Sequence, residues 1–245
     1  MVRHIILRFE APLMSFGDQR IDHIGPTGRF PAASMLTGLL ANALGWSRTD
    51  GEKLRELQSR IRYAARVDVE GRRVDDFQTA QLGADDRGWT TSGTPDKRAG
   101  HPATYDAPHI RRRTYLADAV ATVALRLESP SLAPSIDDVA AALVTPARPL
   151  FVGRKPCLPT ARVFAGHAEG DTALEALLAW PLDPRSGGDV PCMWAAADAP
   201  AWAIASDTRT VADERQWAES GLHGDGRTVC EGSISRKRFA TGAPA

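Results

Sequence analysis

Long apolar runs are missing from this 245-residue chain. No stretch approaches the roughly 20 apolar residues that cross a bilayer, so no helical membrane span is expected. The opening Val2-Arg3-His4-Ile5-Ile6-Leu7-Arg8-Phe9 carries charge every few residues and lacks a signal-peptide core, which points to the cytoplasm. Cysteine is scarce. Cys157, Cys192 and Cys230 are odd in number and far apart, with no Cys-x-x-Cys pair and no histidine at zinc spacing, so neither a disulfide framework nor a zinc module is expected. Net charge is absent too: thirty Lys and Arg balance thirty Asp and Glu, which excludes an indiscriminate nucleic-acid coat. Any nucleic-acid site must be local. His4, His23, His101, His109, His167 and His223 are scattered with no pair at i, i+4, and there is no phosphate loop and no Gly-x-Ser-x-Gly nucleophile turn. No metal and no cofactor is expected. Fixed-period repeats and low-complexity tracts are also missing.

What is present is ordinary globular material, 43% hydrophobic and 24% charged, with length for a sizeable core and for two domains. Ile5, Leu7 and Phe9 alternate with His4, Ile6 and Arg8, the period-two pattern of a strand with one strongly apolar face, and Ala11-Pro12 ends it. Leu36, Leu39, Leu40, Ala43 and Leu44 fall at helical spacing between Pro31 and Gly45. A shorter helix is expected from Asp50 as N-cap, turning Leu54, Leu57 and Ile61 inward. Tyr63, Ala65, Val67 and Val69 then read as a strand, Glu70-Gly71-Arg72-Arg73 as a turn, and Val74 to Thr79 as the hairpin partner. Periodicity disappears from about Ala80 to Arg113, which marks a projecting arm. Order resumes with Val123, Leu125 and Leu127 in a strand, followed by a helix capped by Ser135 and stopped by Pro146. Ile136, Val139, Ala140 and Leu143 form its inner face. This succession predicts an α+β, ferredoxin-like βαββαβ core, interrupted by the arm and completed from Leu150 onward. The expected division is a domain over 1–160, with the arm at about 80–113, and a small β-rich C-terminal subdomain over 161–245.

Five segments in order carry a resemblance. They are Leu7-Arg8-Phe9-Glu10-Ala11-Pro12-Leu13-Met14-Ser15-Phe16-Gly17; Gly25-Pro26-Thr27-Gly28-Arg29-Phe30-Pro31 with Ser34 and Gly38-Leu39-Leu40-Ala41-Asn42-Ala43-Leu44-Gly45; Asp76-Phe77-Gln78-Thr79; Arg113-Thr114-Tyr115-Leu116-Ala117-Asp118-Ala119; and Leu150-Phe151-Val152-Gly153-Arg154-Lys155-Pro156-Cys157. Together they resemble the CasD family of type I-E CRISPR surveillance complexes (Cascade), the fifth family of the CRISPR-associated RAMP superfamily. The resemblance implies a ferredoxin-like, RRM-like fold with an inserted β-hairpin thumb and a short C-terminal subdomain. It also implies a non-catalytic ribonucleoprotein subunit in antiviral defence, gripping the 5′ handle of the guide RNA (crRNA) and capping the backbone of the complex. The implied partners are that RNA, the backbone subunit and the large subunit. Target DNA is met only through the complex, and no membrane is involved.

The residues themselves say what could hold RNA. The Gly25–Pro31 loop leads into a helix N-terminus whose free N–H groups favour an anion, with Gly28 and Ser34 beside it and Arg29 as a forked donor; a purely structural lead-in turn is the other reading. Gly153 allows close backbone approach while Arg154 and Lys155 reach outward to phosphates, unless they are ordinary solvated cations. Arg111, Arg112 and Arg113 precede Tyr115, which is either a base-stacking platform or a core residue. Arg20 and His23 complete the RNA-binding set that the resemblance implies. Arg236-Lys237-Arg238 is a further basic run, readable as a solvated face. The alternative activity is metal-independent cleavage of precursor RNA, which relatives in another CRISPR subtype perform. Ala33, standing where the family's Pro-x-x-Ser helix lead-in is often basic, supplies neither charge nor proton, and no catalytic residue is assigned.

Overall fold

The computed structural model describes residues 1–18, 23–80, 109–217 and 226–242. In chain order these form β1 (Val2–Glu10), β2 (Leu13–Met14), β3 (Ile24–Gly25), α1 (Ala33–Ala43), α2 (Gly51–Arg60), β4 (Ile61–Val69), β5 (Arg72–Ala80), β6 (His109–Ala117) and β7 (Val120–Leu127). After them come α3 (Ile136–Val144), β8 (Phe164–Gly170), α4 (Ala173–Leu178), β9 (Val190–Ala195), β10 (Asp207–Val211) and β11 (Arg227–Ile234). The fold is α+β. Its main sheet has seven strands in the order β10-β11-β9-β4-β7-β1-β8, every neighbouring pair antiparallel. A second sheet runs β2-β6-β3, with β5 also paired to β6.

The main sheet is covered on both faces, which explains why β1 is more apolar than a simple alternation requires. Ile5, Leu7 and Phe9 point into a core with Leu36 and Leu40 of α1, Leu57 of α2 and Val139 and Leu143 of α3. Ile6 points the other way, into a second core with Leu174 and Leu177 of α4, Trp194 and Phe239. Ile5, Ile6, Leu7 and Phe9 are all fully buried, so truncating any of them to Ala costs about 2–5 kcal/mol. The predicted caps divide. Ser135 forms a capping box with Asp138, accepting from its N–H at 3.1 Å while the Ser135 N–H donates to the Asp138 carboxylate at 2.8 Å. Asp50 stands at the α2 N-cap, but its carboxylate accepts from the Ser47 N–H at 2.7 Å instead of capping the helix.

Three expectations need correction. The strand after Gly71 does not return along β4, because both edges of β4 are taken, by β7 and β9. Gly71 adopts φ +64° and packs so closely on β6 that a Cβ there would lie 2.3 Å from the Ala117 carbonyl oxygen. The chain therefore leaves for the second sheet, where β5 pairs with β6 from Arg72↔Ala117 to Ala80↔His109. Arg111 to Arg113 accordingly sit inside β6 and not at the end of an irregular arm; residues 81–108, the rest of that arm, lie outside the described residues. The strand expected from Leu150 begins at Phe164, since Gly153, Pro156 and Pro159 keep the intervening segment irregular. The strands β8, β9, β10 and β11 extend both sides of the main sheet.

Buried arginines knit these layers. Arg66, wholly enclosed, donates to the carbonyls of Leu177 and Trp180 at 2.9 and 2.8 Å, to that of Pro181, and to the Asp68 carboxylate. Arg60 donates to five carbonyls, those of Glu128, Ser129, Leu132, Ala133 and Pro134, fixing the loop ahead of α3. These guanidiniums serve as donors to orphan backbone oxygens.

Candidate nucleic-acid interface

The short β3 lies parallel to β6, setting Ile24 opposite Arg112 and Gly25 opposite Arg113, with the Arg112 N–H donating to the His23 carbonyl at 2.9 Å. Arg154 arrives from the irregular segment and staples the junction. Its Nη1 donates to the Thr114 carbonyl at 2.9 Å and its Nη2 to those of Gly25 and Pro26 at 2.6 and 3.2 Å. His23, Arg111, Arg112, Arg113, Arg154 and Lys155 thereby line one open cleft of about 380 Å³, with Gly25 and Pro156 completing it. Segments as far apart in sequence as His23 and Pro156 thus supply one basic surface, with no carboxylate among the described residues that line it. Like charges held together this way raise the local positive potential, and a strand of phosphates relieves it.

Beside the cleft, Phe77 of β5 faces Arg112 across the ladder, the guanidinium 5.6 Å from the ring centre. Phe77 is 56% exposed, and Ile110 and Ile24 are exposed on the same sheet. An accessible aromatic face bordered by cations is what single-stranded RNA uses for stacking. Sequence reasoning passed over Phe77; the signal was one aromatic residue inside the otherwise polar run Asp75-Asp76-Phe77-Gln78.

Several predicted site residues have other duties. Tyr115 is 3% exposed and lies under the Arg154 guanidinium, 4.8 Å from its ring centre, so it is a core residue and not a base platform. Gly153 has φ +88°, and a Cβ on it would stand 1.6 Å from the Ser15 carbonyl oxygen, so the close approach it permits is to the chain's own backbone. Arg154 reaches the cleft, but its donors hold carbonyls. Arg20 lies outside the described residues.

The N-terminus of α1 is already filled. Asp213 supplies the anion, accepting from the Ala33 N–H at 2.9 Å through Oδ2, while its carbonyl accepts from the Ser34 N–H at 2.9 Å. Arg227 clamps the same carboxylate through Nε at 2.8 Å and Nη2 at 2.7 Å and reaches the Tyr63 hydroxyl. Burial pushes the Tyr63 hydroxyl pKa far up, so it stays neutral and donates to the Pro31 carbonyl at 2.7 Å. A phosphate would have to displace this network, which corrects the expectation of an RNA phosphate at the helix end. The Gly28 N–H donates to Gly17 at 2.9 Å and Arg29 pairs with Glu70. Gly28, Arg29 and Ser34 border a separate cleft of about 360 Å³, apart from the basic one.

All three cysteines are free and buried, and burial pushes the Cys192 thiol up to about 12. Among the described residues no group of three His, Cys, Asp or Glu could hold a metal ion, and no helix is long and apolar enough to cross a membrane.

Known proteins resemble this chain over most of its length. Residues 4–229 match the family described as CRISPR-associated protein (Cas_Cas5). The "CRISPR system Cascade subunit CasD" of Escherichia coli (strain K12) is 31% identical over 197 residues, which cover 78% of this chain and 81% of the relative. A chain of a solved "CRISPR RNA-guided surveillance complex" superposes with a TM-score of 0.70 at 22% identity, covering 97% of this chain and 93% of its own. A second structure, "Crystal structure of Cas protein", gives 0.61 at 24% identity and covers 98% of both chains. These two likenesses establish the fold.

Proposed function

This chain belongs to the CRISPR-associated protein (Cas_Cas5) family, and from that premise we propose that it is the CasD-type subunit of a type I-E Cascade that grips the 5′ handle of the guide RNA. The observation that carries the reading is the convergence of His23, Arg111, Arg112, Arg113 and Lys155 on one cleft, with Phe77 exposed beside it. The β5–β6 hairpin acts as the inserted thumb. The strand order β4-β7-β1-β8, connected through α1, α2 and α3, supports reading the centre of the main sheet as a ferredoxin-like βαββαβ unit. On this reading the chain works in the cytoplasm, caps the backbone of the complex, meets the backbone and large subunits, and encounters target DNA only through the assembly.

Binding without cutting fits the site. Metal-independent cleavage needs an acid and a base in reach of a 2′-hydroxyl. Tyr115 is enclosed beneath Arg154, and the backbone at Ala33 is engaged by Asp213.

The test is co-purification of tagged protein with its cellular partners and sequencing of bound RNA, followed by salt titrations of handle binding. Recovery of repeat-derived RNAs with a common 5′ end is expected. Replacing Arg111, Arg112 and Arg113 together with Ala should lower the log–log salt slope by about 2, at about 0.7 for each single-strand phosphate released. Phe77→Ala should weaken binding about tenfold or more while Phe77→Tyr keeps it. An unchanged slope in the triple variant would mean that these arginines are only solvated.

A further inference from the structure

A second cleft, of about 460 Å³, adjoins the basic one and shares Gly25 and Arg154 with it. Its chemistry differs. The floor is apolar, from Met35 and Leu39 of α1 and from Phe151, and one wall is Trp217, whose ring lies over α1 where Gly38 leaves room: a Cβ there would be 3.9 Å from the indole. Gln58 of α2 fixes that wall from behind. Its Oε1 accepts from the Trp217 indole N–H at 2.8 Å and from the Arg215 N–H at 3.1 Å, and its Nε2 donates to the Arg215 carbonyl at 3.1 Å.

The Arg215 guanidinium stacks 5.2 Å from the Trp217 ring centre, and Arg48 lines the same cleft, near enough for its charge to act on Arg215. Burial first, and the neighbouring Arg48 charge second, lower the Arg215 pKa, so two cations are held where each opposes the other. Asp18 also lines this cleft, so the rim is not uniformly basic. An aromatic wall, an apolar floor and paired guanidiniums at the mouth suit a ligand with a flat ring at one end and a doubly accepting anion at the other. The volume falls within the range of small-molecule pockets, and the shared border at Gly25 and Arg154 lets one strand occupy both clefts.

We infer that this second cleft holds a single nucleotide of the bound RNA, its base against Trp217 and its phosphate between Arg48 and Arg215. The inference rests on the handle-binding reading above and adds a subsite to it. A nucleotide seated there is fixed individually, while the basic cleft holds the strand by its backbone.

The experiment uses the full chain and a fluorescein-labelled oligoribonucleotide of the repeat-derived handle, with anisotropy titrations from about 50 to 200 mM salt. Arg48→Ala with Arg215→Ala should weaken binding about tenfold and lower the salt slope by about 0.7, the value for one phosphate. Trp217→Ala should cost a similar factor, and Trp217→Phe should restore most of it by keeping a stacking face. Thermal melting of each variant separates loss of the wall from loss of the fold, and the exposed Arg48 supplies a single variant that cannot unfold the core. If the Arg48/Arg215 variant binds like the parent while the Arg111/Arg112/Arg113 variant loses RNA, the subsite is refuted and the handle reading stands. If the triple variant also binds like the parent, the handle reading itself falls.

Discussion

Replacing Asp213 by Ala removes a carboxylate that ties the C-terminal strands to the first helix. In the intact protein it accepts two bonds from Arg227 at 2.8 and 2.7 Å and one from the Ala33 N–H at 2.9 Å, and it lies 3.3 Å from the Tyr63 hydroxyl. The variant leaves Arg227 facing an uncharged methyl group and returns a helix N-terminal donor to the unsatisfied state. Removing one partner of a fully buried ion pair costs about 3–5 kcal/mol. Here the two side chains keep 18% and 16% exposure, so water recovers part of that and the expected loss is about 2–4 kcal/mol. For a chain of this length each kcal/mol moves Tm by about 2–4 °C, which predicts a fall of about 4–16 °C. Scanning calorimetry on five proteins decides it: the parent, Asp213→Ala, Asp213→Asn, Arg227→Met and the double variant of Asp213→Ala with Arg227→Met. Asn keeps an oxygen for the Ala33 N–H and should fall between parent and Ala. The double variant should lose less than the sum of its single changes, because the charge left unpaired by Asp213→Ala is gone. If Asp213→Ala melts within about 1 °C of the parent, the network contributes nothing and the account of the α1 N-terminus is wrong.

Acid should expose a second network. The Arg185 guanidinium, joined by Arg8, holds the Asp183 carboxyl well below the usual carboxylate range, and its folded pKa is therefore below its unfolded one. That stabilisation is fully present above an unfolded value of about 3.9 and is lost as pH falls toward the folded value, so Asp183→Asn should flatten the acid limb of a Tm-against-pH curve below about pH 4. An acid limb identical to the parent's would assign the sensitivity elsewhere. Gly153→Ala places a Cβ 1.6 Å from the Ser15 oxygen at φ +88°, and should cost at least about 3 kcal/mol by urea unfolding, the upper end for a residue forced into the left-handed region. A loss below about 1 kcal/mol would show that the turn relaxes freely.

Local periodicity made much of this fold readable. The β1 alternation, the α1 stripe and the Ser135 cap all appear where the residues place them, because each is decided within a dozen positions. Pairing partners were not readable. The segment after Gly71 looks like the return limb of a hairpin, yet β4 is already flanked by β7 and β9, strands whose claim on it comes from residues far along the chain. The site divides the same way. Arg111 to Arg113 and Arg154-Lys155 could be found as charge runs, and their convergence with His23 could not, since it depends on β3 pairing with β6 and on Arg154 crossing to Gly25. Of the two readings open for Tyr115 the core one matches its burial, and the exposed aromatic is Phe77, because burial of an aromatic is set by which layer lies over it.

The position of β1 has a consequence for how the chain is made. Its Ile5, Ile6 and Leu7 are apolar on both faces, and its two hydrogen-bonding edges are closed by Val120–Leu127 and by Phe164–Gly170, both of which follow it by long stretches of chain. A half-synthesised molecule therefore carries a sticky strand with neither edge occupied, the ideal template for pairing with another nascent copy. Yield in overproduction is then governed by how long β1 waits for its neighbours: slowing initiation, lowering temperature or supplying a holding chaperone should rescue soluble protein, while further stabilising the finished fold should not.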